Sequence, residues 1–212
     1  MTSVLAINGS PRKDGNTSIL IHTILQELEK EGIETEVIQI GGKKIHGCRA
    51  CMKCFENRDG KCILDDDLVN TCIQKMGEAD GLLLGSPVYF LDVTSEMKAF
   101  IDRAGFVSFA NGRPFRNKVA NVTVAVRRAG SSRTADTMLH FLLANEMIVA
   151  GLPVIGVGRD IGDVRNDAEG MERAENLGRS MAQLLNHFDR HPLPAPQSGP
   201  ADDRMTRKRK RV

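Results

Sequence analysis

The chain has 212 residues, of which 41% are hydrophobic and 26% charged, and its net charge is +2. Such a balance fits one globular α/β domain with a full core, and it leaves no overall field pointing to a charged partner. No apolar run approaches the roughly 18 residues of a membrane helix, and the opening TSVLAING reads as a strand rather than a secretion signal, so a cytoplasmic protein is expected.

Short apolar runs alternate with amphipathic stretches. A strand is expected over 4–7, a helix over 16–31 ending near Gly32, and a second strand over 35–40. A cysteine-rich segment, 46–63, follows. A helix over 64–76 opens on the acidic run Asp65–Asp66–Asp67, which suits the positive end of a helix dipole. Then come a strand over 81–84, a helix over 94–106, a β-branched strand over 119–126, a helix over 134–150, a fifth strand over 154–157 and a helix over 168–188. This alternation predicts a parallel sheet with helices on both faces. Five strands of this kind suit the doubly wound, flavodoxin-like order 2-1-3-4-5 with the cysteine insertion after strand 2. The domain is expected to span 1–190. Residues 191–212 hold a proline-rich stretch and a terminal basic cluster, expected to be a disordered, solvated tail; nucleic acid is an unlikely partner without a basic helix or aromatic platform elsewhere.

The first strand runs into NGSPRKDGNTS and then a helix. Ligands of open α/β sheets bind beyond the carboxyl ends of the strands, where a helix N-terminus offers free N–H groups to an anion. Ser10, Thr17 and Ser18 add hydroxyl donors, Arg12 a charged fork, and Gly15 a close turn. The segment reads as a phosphate cradle. It has neither the Gly-Lys-Ser/Thr ending of a Walker A loop nor a G-x-G-x-x-G fingerprint. The plainer alternative is a polar loop in which Asn16 or Thr17 caps the helix.

Four of the five cysteines, Cys48, Cys51, Cys54 and Cys62, fall within fifteen residues as C-x2-C-x2-C-x7-C. Three thiolates at three-residue steps can wrap one compact centre and a fourth can close it, as in cubane iron–sulfur sites. Structural zinc more often takes two cysteine pairs across a longer spacer. A metal-free, redox-active loop is the remaining reading. Cys72 lies on an expected helix and reads as a small buried hydrophobe. The five histidines show no metal spacing or triad pattern, and no acid–base or nucleophilic set stands out, which suits chemistry carried by cofactors.

GSPRKDGNTS together with GSPVYF resembles the flavin mononucleotide (FMN) site of the NADPH-dependent FMN reductase group within the flavodoxin-like superfamily, and the cysteine motif resembles that of the iron–sulfur flavoproteins. The likeness covers residues 3–188. It implies that Ser10, Arg12, Asn16, Thr17 and Ser18 surround the FMN phosphate, and that Pro87, Val88, Tyr89 and Phe90 follow the ribityl chain and ring. A third loop, AVRRAGSSRT, supplies Arg127, Arg128 and Gly130, with one of the two arginines expected at the flavin. It implies a 4Fe-4S cluster on the four cysteines, ferredoxin or NAD(P)H as electron donor, a small-molecule acceptor, and a homodimer or homotetramer. Two other readings stand beside this oxidoreductase: a cluster-free NAD(P)H-dependent FMN, quinone or nitro reductase, and a non-enzymatic redox sensor.

Overall fold

A computed structural model of the chain describes residues 1–193. Its sheet contains β1 (Ser3–Asn8), β2 (Glu34–Gln39), β3 (Gly81–Pro87), β4 (Val119–Val126), β5 (Ile148–Val149) and β6 (Val154–Val157). All pairings are parallel, in the order β2-β1-β3-β4-β5, with β6 also on β4. The doubly wound order is the one expected.

The sixth strand arises because the far edge is split. β5 pairs with Val119 and Ala120, and β6 with Thr123 through Val126. Asn121 fills the gap, its Nδ2 donating to the Ala150 carbonyl at 2.8 Å. The helix expected over 134–150 therefore stops early: α5 runs Ser131–Ala144. Glu146 turns the chain with φ 58°, and the β-branched Ile148 and Val149 supply backbone partners to the open edge of β4.

Helices cover both faces. α1 (Asn16–Lys30) and α6 (Ala168–Arg190) bury Leu20, Ile24, Leu28, Met181 and Leu185 against one side. The close approach of α1 and α6 requires Gly178, whose Cβ would lie 2.5 Å from the Ile24 carbonyl oxygen. On the other side, α3 (Val69–Glu78), α4 (Ser95–Ala110) and α5 bury Met76, Phe100, Val107, Met138 and Leu142. With both faces covered, β3 and β4 are buried almost end to end and are mostly apolar in sequence.

α3 starts five residues later than the sequence predicts. Asp67 is not in its first turn, because its carboxylate accepts from the Val69 N–H at 3.1 Å and pairs with Arg103 on α4. A short helix, α2 (Lys53–Asn57), lies inside the cysteine segment. No helix among the described residues is long and apolar enough to cross a membrane. Of the expected tail, 194–212 lie outside the described residues.

Candidate functional site

Beyond the carboxyl end of β1, Asn8 Oδ1 accepts from the Ser10 N–H at 2.9 Å, and Ser10 Oγ accepts from the Arg12 N–H at 3.2 Å. These bonds fold the loop back so that α1 begins at Asn16 behind Gly15. No side chain caps that terminus, so its first N–H groups remain open to an anion. Thr17 is 1% exposed and its Oγ1 has no hydrogen-bond partner. A buried hydroxyl left unpaired is costly, and at the head of a helix it marks a place for an acceptor such as a phosphate oxygen. The residues present thus fit an anionic cofactor group.

Ser10, Arg12, Asn16 and Thr17 line one cleft with Pro87, Val88, Tyr89 and Arg127. Of the expected arginine pair, only Arg127 lines it. Ser18 is buried outside the lining, and Arg128 is exposed away from it. Asn16 also anchors a distant loop. Its Nδ2 donates to the Asp160 carbonyl at 2.9 Å, and its Oδ1 accepts from the Gly162 N–H at 2.9 Å. That tie brings Gly158 and Arg159, two residues sequence reasoning missed, into the cleft wall. A signal for them existed, since they follow the last strand at the same sheet edge that binds ligands in such folds.

The loop after β3 closes on a two-residue turn. Tyr89 N–H donates to the Asp92 carbonyl at 2.8 Å, and the Asp92 N–H donates back to Tyr89 at 3.2 Å. Phe90 and Leu91 form the tip with φ of 44° and 72°, a left-handed conformation that side chains adopt at a cost of about 1–2 kcal/mol each. Phe90 points fully into solvent and Tyr89 is 46% exposed beside the cleft. Gly130, at φ 96°, packs beneath the turn rather than in the cleft: a Cβ there would sit 2.8 Å from Leu91 Cα and Val88 Cγ1. Asp92 braces the turn through Thr137 Oγ1 at 2.7 Å and Arg133 Nε at 3.2 Å.

The cysteine segment leaves β2 beside the phosphate loop. Gly41 packs so tightly there that a Cβ would overlap the Ser10 carbonyl carbon at 2.2 Å. The Gly42 N–H then bonds Glu96 Oε1 near the start of α4, and the Gly60 N–H bonds Asn111 Oδ1 at its end, at 3.0 Å each. The segment thus runs the length of α4. The Gly60 amide is thereby directed to the end of α4.

Cys48, Cys51, Cys54 and Cys62 line a single pocket, roofed by Phe106 and Val107 of α4. The turns between them use Ala50 and Met52 at φ 50° and 58°, and the Ala50 N–H donates to Cys48 Sγ at 3.4 Å. Phe55 packs edge-on to Phe106, ring centroids 6.4 Å apart. No three His, Cys, Asp or Glu among the described residues converge tightly enough for a single metal ion. Four thiols on one pocket wall are a donor set that fits iron or another thiolate-binding metal. Burial pushes the Cys54 thiol above its ordinary value, with Cys62 and Cys51 adding to the rise, while backbone N–H groups oppose it. Cys54 therefore gives up its proton most readily when a metal takes its sulfur.

Arg103 on α4 is the functional-site residue least visible in sequence. It is 1% exposed. Its Nε donates to Cys62 Sγ at 3.3 Å, Nη1 to Asp67 Oδ2 and the His46 carbonyl, and Nη2 to the Leu64 carbonyl at 2.6 Å. Burial acts to raise the Asp67 carboxyl, but Arg103 and the N–H groups of His46 and Val69 outweigh it and hold the group below the usual carboxylate range. Arg103 lies eight residues after Ser95, the first residue of α4, so at helical rise it stands about 12 Å along that helix from its start.

Comparison with known proteins shows the family and the fold. Residues 2–161 match the NADPH-dependent FMN reductase family. An iron–sulfur flavoprotein of Methanocaldococcus jannaschii is 40% identical over 191 residues, 86% of this chain and 96% of the relative. One from Archaeoglobus fulgidus is 32% identical over 181 residues, 85% and 79% of the two chains. Among solved structures, RosB with a bound riboflavin-5'-phosphate intermediate shares the fold at TM-score 0.70 and 19% identity, over 100% of this chain and 88% of that one. On the family match over residues 2–161 and the identity to these relatives, the chain belongs to the NADPH-dependent FMN reductase family as one of its iron–sulfur flavoproteins.

Proposed function

We propose that this redox flavoprotein carries FMN in the cleft after β1 and β3 and a 4Fe-4S cluster in the cysteine pocket, and moves electrons between ferredoxin or NAD(P)H and a small-molecule acceptor. The observation that carries the reading is the gathering of four cysteines into one pocket against α4, the same helix whose N-cap residue Thr94 donates to the Gly9 carbonyl at the head of the phosphate loop. Bound FMN would supply exchange of one hydride, two electrons at once, with a nicotinamide and of single electrons with a cluster, so a chain holding both groups would join the two regimes.

The chain's own residues have defined roles in this reading. The open N–H groups of α1 and the Thr17 hydroxyl bind the phosphate. Arg12 and Arg127 add positive charge at the cleft. Val88 and Tyr89 give a flat wall that excludes water from one side of the ring. Ser18, Phe90, Arg128 and Gly130 act at longer range, Gly130 by allowing the 87–92 turn to close. Cys48, Cys51, Cys54 and Cys62 bind iron as thiolates, which a reducing cytoplasm keeps available. The thiol pocket opens at the surface beside Phe106, which suits a homodimer or homotetramer that sets it near a neighbouring flavin.

The test is an absorption spectrum of anaerobically purified protein with iron, sulfide and released flavin assayed on the same sample. Flavin bands with a shoulder near roughly 400 nm, and about four irons and four sulfides per chain, are expected. Flavin without iron or sulfide after anaerobic reconstitution would leave a cluster-free reductase.

A further inference from the structure

We infer that Arg103 is a positioning residue of the cysteine pocket: it ties the two ends of the cysteine segment to α4 and sets the reduction potential of the centre those cysteines hold. The inference rests on the cluster reading above. It starts from the donor count of a guanidinium, which has five N–H groups in a rigid fork and no acceptor. Buried at 1% exposure, such a group must place its donors inside the protein. Arg103 places them on four targets, and each belongs to the cysteine segment or its exit: the His46 carbonyl before Cys48, Cys62 Sγ, the Leu64 carbonyl after it, and Asp67. Both ends of the insertion are thus pinned to one side chain on a rigid helix. Asp67 in turn accepts from the His46 N–H at 3.0 Å, closing the clamp.

A structural clamp alone would have no need of the sulfur. A buried ion pair is a weak source of stability compared with apolar residues of similar volume, yet here a guanidinium and a carboxylate take that place with Nε turned to a thiol. Its chemical consequence is a graded one. Each electron added to an iron–sulfur centre adds negative charge, and a cation or N–H donor at a ligand sulfur stabilises the reduced form and raises the potential. Asp67 opposes that effect by neutralising the same cation. The pair therefore acts as a two-way adjustment on the sulfur of Cys62: removing Arg103 lowers the potential, and removing the charge of Asp67 raises it. Lysine at 103 keeps the charge but loses the fork, and should fall between wild type and Arg103→Met.

The experiment compares wild type, Arg103→Met, Arg103→Lys and Asp67→Asn, each reconstituted anaerobically. Iron, sulfide and flavin are assayed, and the cluster is titrated with dithionite under electron paramagnetic resonance. Limited proteolysis of the cluster-free chains is run beside it. Retained flavin shows that a variant is folded. Expected are faster cleavage within 46–64 for both Arg103 variants, a potential more negative than wild type for Arg103→Met, and one more positive for Asp67→Asn. Shifts of the same sign in both, or none, in loaded proteins would overturn the role of Arg103 and leave the cluster intact as a proposal. Should Arg103→Met not fold, the sign for Asp67→Asn together with the position of Arg103→Lys decides the matter. A wild type that takes up no iron or sulfide would remove the cluster reading and this inference together.

Discussion

Asn16 and Asp160 are 144 residues apart in sequence and are joined at 2.9 Å, side-chain amide to main-chain carbonyl. The oxygen of the same amide accepts from the Gly162 N–H, so the head of α1 and the loop after β6 are one unit. Asn16→Ala should lower stability by about 0.5–1.5 kcal/mol, the net worth of a hydrogen bond whose backbone partners can turn to water. Urea denaturation of the flavin-free chain measures this, and FMN titration should show weaker binding as Arg159 leaves the cleft wall.

Thr17 offers the reverse combination. Its hydroxyl is buried without a partner in the protein alone, so Thr17→Val should leave the flavin-free chain as stable or slightly more so. If the hydroxyl donates to phosphate, the loss of one hydrogen bond to a charged group, about 1.5–3 kcal/mol, weakens FMN binding about 10- to 100-fold. Thermal melts with and without FMN separate the two effects.

Cys72 should behave unlike the other four cysteines. It is fully buried on α3, and burial, with Asp67 and Glu36 adding to it, pushes its thiol up to about 12. Iodoacetamide at pH 8 should label Cys48 and Cys51 in the native, cluster-free chain and reach Cys72 only in denaturant, as peptide mapping would reveal.

Glu27 links α1 to α6, accepting from Arg179 Nη1 at 3.0 Å and pairing with Lys30. The Lys30 hydrogen bond is the main cause of its lowered carboxyl pKa; burial opposes it and Arg179 assists. A carboxyl lowered in the folded state stabilises above its unfolded value of about 4.3, and that contribution is lost as pH falls through the folded value. Glu27→Gln should therefore cost about 1 kcal/mol or less at pH 7, because both cations are partly solvated. The gap to wild type in chemical denaturation should close as pH drops below about 4.

Gly178 inverts an ordinary rule. Glycine to alanine inside a helix normally gains about 1 kcal/mol, but here the new Cβ would lie 2.5 Å from the Ile24 carbonyl and 2.6 Å from Glu27 Cβ. Gly178→Ala should instead destabilise by about 1–3 kcal/mol, through forced separation of α1 and α6, read as a lower melting temperature.

The layered fold was legible because β3 and β4 are mostly apolar and the helices between strands are amphipathic. The phosphate loop and four thiols were legible because their chemistry is local in sequence. Arg103 was not, since its neighbour Asp102 is a surface residue and charged side chains usually face solvent. Its position held a signal all the same: it falls three residues after Phe100 and four before Val107, within the buried stripe of α4, where a cation needs a buried partner. The early end of α5 was hidden because helical periodicity continues through Met147, and only the open edge of β4 draws Ile148 and Val149 into the sheet. The left-handed Ala50, Met52, Phe90 and Leu91 had no glycine to announce them.

The divided edge of the sheet bears on how the protein keeps from polymerising. A strand edge with free N–H and C=O groups is a template on which another chain can grow. Here an incoming strand would find two residues at β5, a break at Ala150 through Pro153, then four at β6. Pro153 has no N–H to offer, and Asn121 already holds the carbonyl of Ala150. The same interruption that lets Asn121 stitch the core thus denies fibre growth an unbroken row of acceptors and donors on that flank.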